Sequence, residues 1–225
     1  MSEDAALDAF LKAEAVFWDF DGVIKESVEA KAHAYVALFD DRGNAVRARV
    51  QDHHNGNGGM SRFEKIPLYM EWAGLPVSEA AVAEHIARFA DLVVDKVIAA
   101  DWVPGVERLL RAPPGGCPQF LVTATPTDEI RAILASLSLG DAFVDVRGAP
   151  ENKTVNTAEL LARHAIRAET AVLIGDSISD YEAATVNGMG FILRQTPLNS
   201  GLQQRHSGPQ VKDFSAWTNR IQSPR

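Results

Sequence analysis

The sequence predicts an α/β fold: a doubly wound, mainly parallel Rossmann-like sheet carrying an inserted helical cap. Three observations lead there. Short apolar runs at Ala15 to Asp19, Phe120 to Thr123 and Ala171 to Gly175 each end in a turn and pass into a helical pattern, as strands covered on both faces by crossover helices do. Phe143 to Val146 and Phe191 to Leu193 read as further strands, for a sheet of about five. The stretch from Ser27 to Ile98 breaks the rhythm, with helical patterns and no convincing strand.

That break sets the expected organisation. Residues 1–26 and 99–225 form the core and 27–98 the helical cap, with Pro104-Gly105 returning the chain to the sheet. Within the cap, Ser27 is placed to open a helix whose apolar side includes Ala32, Tyr35, Val36 and Phe39. Ser61-Arg62-Phe63-Glu64 has capping-box spacing, with Pro67 starting or kinking that helix, and Ser78 opens a helix toward Ala99. The Gly- and Asn-rich run His53 to Gly59 reads as a mobile loop. Residues after Asn199 read as loop-rich, with a short final helix from Asp213 to Ile221.

Composition narrows the function classes. With 225 residues, 46% of them hydrophobic, the chain can bury one domain plus a smaller insert. Thirty acidic residues against 22 basic ones give a formal charge of -8, which argues against nucleic-acid or anionic-membrane surfaces and leaves small anions as partners for a local basic pocket. One cysteine, Cys117, excludes an intramolecular disulfide and a multi-cysteine metal site, and its expected role is packing. The acidic amino terminus lacks the pattern of a signal peptide, and no apolar run reaches membrane-span length. The expectation is a cytoplasmic protein, monomeric or homodimeric.

Four strand-end signals carry chemistry. Asp19 and Asp21 flank Phe20 where an apolar strand stops, and Gly22 lets the backbone turn so that both acids face one crevice. Their mutual repulsion favours a cation between them or a raised pKa, suiting a nucleophile and an acid/base. Thr123 ends the second strand, before a helix expected to have Thr125 as N-cap and Pro126 as its first residue, so an anion beside Thr123 would meet free helix amides. Lys153 opens the next helix, Lys153 to His164, where a cation is electrostatically disfavoured unless something such as a phosphate compensates it. Asp176 and Asp180, four apart after the third strand, offer hard oxygen ligands for Mg²⁺.

These motifs, Asp19 to Gly22, Thr123, Lys153 and the Gly175 to Asp180 run, resemble in order and strand-end placement those of the haloacid dehalogenase superfamily of phosphohydrolases. The insertion resembles the helical cap of its phosphoglycolate phosphatase and hexose phosphate mutase branch. The resemblance implies Asp19 as nucleophile and Asp21 as acid/base. It places Mg²⁺ on the Asp19 carboxylate, the Asp21 carbonyl and Asp176, with Asp180 supporting the site or binding through water. Thr123, Ala124 and Lys153 would hold the phosphoryl oxygens. Asp21 distinguishes a phosphatase from a true dehalogenase, whose halide leaves without a proton. Gly59-Met60-Ser61-Arg62 resembles the mutase G-x-S-R loop, making Arg62 a candidate specificity residue, while Lys31 stands where mutases carry a histidine. The implied activity is Mg²⁺-dependent hydrolysis of a small phosphorylated metabolite, a sugar phosphate or a phosphoglycolate-like ester. A hexose phosphate mutase, a phosphonate hydrolase using Lys31, and a non-catalytic small-ligand module are the alternatives. His53 and His54 either reach over the site or sit in solvent, and His33 reads as packing or surface.

Overall fold

The computed structural model describes residues 3–222. Helix α1 (Glu3–Lys12) leads into β1 (Ala15–Trp18), and a helical insertion follows: α2 (Val28–Ala37), α3 (Asn44–Gly56), α4 (Arg62–Trp72) and α5 (Glu79–Ala99). The chain then alternates through α6 (Val106–Arg111), β2 (Gln119–Pro126), α7 (Thr127–Ser136), β3 (Asp145–Ala149), α8 (Lys153–Arg163), β4 (Ala171–Gly175), α9 (Ile178–Val186) and β5 (Gly190–Arg194). It closes with α10 (Ser200–Arg205), β6 (Gln210–Val211) and α11 (Ser215–Gln222). No helix among the described residues is long and apolar enough to cross a membrane.

The six strands are parallel, in the order β3-β2-β1-β4-β5-β6. β1 is therefore the switch point: Trp18 lies opposite Leu121 of β2 on one side and Ile174 of β4 on the other, so the residues that follow all three strands open into one crevice. Strand alternation divides β1 between two cores. Val16 and Trp18 face a layer containing Phe10, Phe214 and Trp217, whereas Ala15 and Phe17 face Phe120, Leu160 and Leu173. Phe17 stacks on Phe120 with ring centroids 4.9 Å apart, and Trp18 meets Phe214 edge-on at 5.5 Å. The insertion has its own aromatic centre, where Tyr35 stacks on Phe89 at 4.0 Å and meets Tyr69 edge-on at 5.6 Å.

Several sequence expectations shift here. β6 adds a sixth strand, and α1 covers a terminus for which no element was expected. β3 begins at Asp145 rather than Phe143, because Phe143 turns into the core while the Val144 amide, bonded to Gln119 O at 2.8 Å, only starts the pairing. His53 and His54 belong to α3 rather than to a loop, since Val50 and His54 provide that helix with a buried side. Thr125 is not an N-cap: β2 runs on through an irregularity to Pro126, and the helix starts at Thr127. Ser27 precedes α2 without capping it, its hydroxyl being committed to Asp21. The capping box at Ser61 and Glu64 and the Ser78 cap form as expected, and α4 runs through Pro67. The last helix begins at Ser215, two residues later than expected, after the Asp213 carboxylate accepts from the Ser215 amide.

Gln119 fixes the start of β2. Its buried amide accepts from Trp18 Nε1 at 3.1 Å and donates to Leu110 O and Ala142 O at 2.9 and 3.1 Å. Gln119→Leu leaves two buried polar groups and one half-buried carbonyl without this partner, so the loss should be roughly 2–4 kcal/mol. Thermal unfolding should record a drop of roughly 5–10 °C, and an unchanged midpoint would show that these bonds contribute nothing.

Candidate active site

Asp19 immediately follows β1, its amide bonded to Ile174 O of β4 at 3.0 Å, and its side chain is almost fully buried. Gly22 then turns at φ +77°, and a Cβ there would stand 2.3 Å from Asp176 Oδ2. Both conformation and space therefore demand glycine, because the Asp176 carboxylate occupies the volume a side chain would need. Gly175 serves the same purpose behind the site, where a Cβ would fall 2.2 Å from Asp180 Cβ.

Lys153, in the first turn of α8, reaches Asp19 Oδ2 at 2.9 Å and Asp180 Oδ1 at 2.6 Å, all three groups being buried. The helix start is closed separately by Asn152, whose side-chain oxygen accepts from the Val155 amide at 3.0 Å. Asp180 is fully committed, its other oxygen accepting from the Ser177 amide and hydroxyl at 3.1 and 2.5 Å. Asp19 is not, because its Oδ1 is buried without a hydrogen-bond partner. Asp19, Asp176 and Asp180 each bring an oxygen within 4.8 Å of the others. Burial, then repulsion from Asp180, pushes the Asp19 carboxyl up to about 7 against the pull of Lys153. Burial and the charges of Asp19 and Asp180 likewise drive Asp176 well above the carboxylate range. Buried Asp19 and Asp180 and half-buried Asp176 face one lysine and leave excess negative charge, and a set of hard carboxylate oxygens within 4.8 Å of one another suits a divalent cation such as Mg²⁺.

Asp21 is held differently. Burial raises its pKa, but the Lys31 ammonium on its Oδ2 and the Ser27 hydroxyl on Oδ1, 2.6 Å away, overcome this and hold it below the usual range. Lys31 also donates to Thr125 Oγ1 at 2.7 Å, so one lysine of the insertion ties together two core strand ends. Thr123 is fully buried, and its Oγ1 accepts from the Thr125 amide at 3.2 Å. It lines a neighbouring cleft with Ala124 and Lys153, while Ala124 and Lys153 also line the cavity over Asp19.

That cavity, of about 40 Å³, is closed from above by Lys31, Tyr35, His54, Arg62, Lys65 and Phe89 of the insertion. Arg62 is buried, with both terminal guanidinium nitrogens on the Glu129 carboxylate of α7, at 2.7 and 2.5 Å. Lys65 is also buried and donates to His54 Nδ1 at 3.1 Å, while His54 Nε2 faces Val28 O at 3.4 Å. His53 turns away to Tyr69 Oη at 3.0 Å, and His33 is exposed. Cys117 is half-buried against the core. The structure thus brings Asp19, Asp21, Asp176, Lys153, Ala124 and Arg62 to one cavity, with Asp180 behind it and Thr123 beside it. Sequence reasoning missed Lys65 and Glu129. Lys65 stands three residues after Arg62 on the same side of α4, whereas Glu129 looks like an ordinary first-turn acid.

Burial, then the charge of Lys31, lowers Lys65 to about 7 from the ordinary 10.5, with Asp21 and Glu64 offsetting only part of the drop. The folded state therefore sheds a proton that the unfolded chain keeps, and the resulting handicap is complete below about pH 7 and fades as pH rises toward 10.5. Lys65→Met should raise the thermal midpoint near neutrality by an amount that shrinks at alkaline pH. A gain that stays constant with pH, or a loss, would contradict this assignment.

Comparison with known proteins agrees with this geometry. A family model described as haloacid dehalogenase-like hydrolase matches residues 13–188. A phosphoglycolate phosphatase of Pectobacterium atrosepticum is 29% identical over 163 residues, covering 69% of this chain and 68% of the relative. A phosphoglycolate phosphatase of Rhodobacter capsulatus is 28% identical over 213 residues, covering 84% and 89%. In fold, the chain is similar to a beta-phosphoglucomutase of Clostridium difficile, with a TM-score of 0.73 at 18% identity over 93% of this chain and 96% of that one. The chain belongs to the haloacid dehalogenase-like hydrolases and is a phosphatase of that family, similar to the phosphoglycolate phosphatases.

Proposed function

We propose that the protein is a Mg²⁺-dependent phosphatase that hydrolyses a small phosphorylated metabolite, phosphoglycolate-like or a sugar phosphate, through an aspartyl-phosphate on Asp19. One observation carries this reading: Asp19 is buried in the cavity with Oδ2 anchored on Lys153 and Oδ1 unpartnered. Lys153 fixes the carboxylate and leaves an oxygen for attack. In the first half-reaction that oxygen bonds to phosphorus, the bond to the ester oxygen breaks, and Asp21 gives the departing oxygen a proton. In the second, Asp21 takes a proton from water as the water attacks phosphorus, which frees Asp19 and inorganic phosphate.

The surrounding residues fit these steps. Thr123 Oγ1 already accepts from the Thr125 amide, so its own proton is left to donate to a phosphoryl oxygen. Lys153 adds positive charge there. Asp19, Asp176 and the Asp21 carbonyl would hold Mg²⁺, with Asp180 acting through Lys153, and the bound cation supplies neutralisation of phosphoryl charge. Lys31 keeps Asp21 ionised, the form that accepts a proton from water; donation to a leaving oxygen requires Lys31 to let go. A cavity of about 40 Å³ has room for about three waters, so substrate enters when the insertion lifts and the Lys31 and Arg62 contacts open. With its fork on Glu129, Arg62 acts here as a latch between insertion and core, which narrows its expected part in gripping the far end of a substrate.

Three experiments test this reading. Asp19→Asn should release no phosphate, while Asp21→Asn should release one equivalent of phenolate from an aryl phosphate, whose leaving group needs little protonation, and then stall. Chelation should silence the wild type until Mg²⁺ returns. Wild-type turnover by Asp19→Asn would refute the nucleophile. For the latch, Arg62→Ala and Glu129→Gln should each lower kcat/KM by about ten- to a hundredfold, on large and small esters alike. The double variant should be no worse than either single one, and fully multiplicative losses would show that the two residues act independently.

A further inference from the structure

Four cationic side chains border the cavity, and three have carboxylate partners: Lys153 on Asp19 and Asp180, Lys31 on Asp21, and Arg62 on Glu129. Lys65 has none in contact among the described residues. It is 1% exposed, its hydrogen-bond partner is Nδ1 of His54, and the Tyr35 ring lies 5.5 Å from the ammonium. Burying an amine without a contacting counter-charge is costly, and Asp21 and Glu64 act on it only from a distance. His54 is itself fixed, because Nε2 facing Val28 O is the donor, which leaves Nδ1 to accept from Lys65 and aim the amine. Burial and Lys65 lower His54 to about 3, so it stays neutral in this role.

We propose that Lys65, aimed by His54, is the subsite for a second anionic group on the substrate, a carboxylate, so that the enzyme selects compact phosphomonoesters that carry one. This rests on the phosphatase reading and names what that site selects. The cavity holds Asp19 on its core side and Lys65 on its insertion side, so a molecule with phosphorus at Asp19 presents its other end to Lys65. A carboxylate is the favoured second group because it is a compact anion and asks for little enlargement of a cavity of about 40 Å³ when the insertion closes over the ester. The lowered pKa of Lys65 agrees, since an incoming anion restores the charge that burial suppresses.

The test separates binding from turnover. In the Asp19→Asn protein, which binds without hydrolysis, calorimetry in Mg²⁺ buffer compares phosphoglycolate with 2-hydroxyethyl phosphate, its uncharged-end counterpart. The carboxylate ester should bind about tenfold or more tightly than the neutral one. In Lys65→Met that preference should fall below about twofold while the neutral ester keeps its affinity, and Lys65→Arg should retain part of it. Lys65→Gln preserves a donor for His54 Nδ1 and provides the same comparison with that hydrogen bond kept. A preference that survives both Lys65→Met and Lys65→Gln, or no preference with Lys65 intact, would overturn the proposal. Failure of the phosphatase reading looks different: the wild type would release no phosphate from either ester.

Discussion

Everything at the crevice depends on Lys153 lying between Asp19 and Asp180. A buried ion triad is poor evidence for stability, because desolvation offsets the attraction, but it is an effective way to fix direction. Asp180 is itself pinned by the Ser177 amide and hydroxyl, so the start of α9 positions Lys153, and Lys153 positions Asp19. The chain of contacts runs from one strand end to the next and finishes on a carboxylate with one oxygen to spare. Burial alone would lower the Lys153 pKa, but the attraction of Asp180 and Asp19 outweighs it and raises the value, so the lysine stays charged.

The insertion adds a second set of charges to the same space. Lys31 and Arg62 each cross from the insertion to a core carboxylate, so closure is held by ion pairs that opening exchanges for water. Gly59 shows how close the approach is: a Cβ there would lie 1.8 Å from Ser179 Oγ. Both ion pairs are largely shielded from solvent while closed, and each charge regains water on separation, whereas the aromatic centre around Tyr35, Tyr69 and Phe89 packs the insertion on itself.

The core was legible in sequence because parallel strands buried on both faces read as unbroken apolar runs, and the polar residues that end them stand out. Asp19, Asp21, Thr123 and Asp176 were therefore visible, and Lys153 stood out as a cation opening a helix. What was not visible depends on distant partners. The two residues of β6 are too few for a pattern. Asn, Gly and His made the end of α3 look like a loop, but burying His54 against Lys65 and Tyr35 keeps it helical. Thr125 read as a helix cap until Lys31, 94 residues away in sequence, claimed its hydroxyl. Lys65 and Glu129 carry no motif at all, and only the folded chain sets them at the cavity and its latch.

The central claim is that Asp19 attacks phosphorus. Rapid quenching of a reacting mixture, followed by borohydride reduction, converts an aspartyl-phosphate to homoserine, which peptide sequencing by mass spectrometry locates. The account predicts homoserine at position 19. Homoserine at position 21 or 176, or none while phosphate is released, would contradict it.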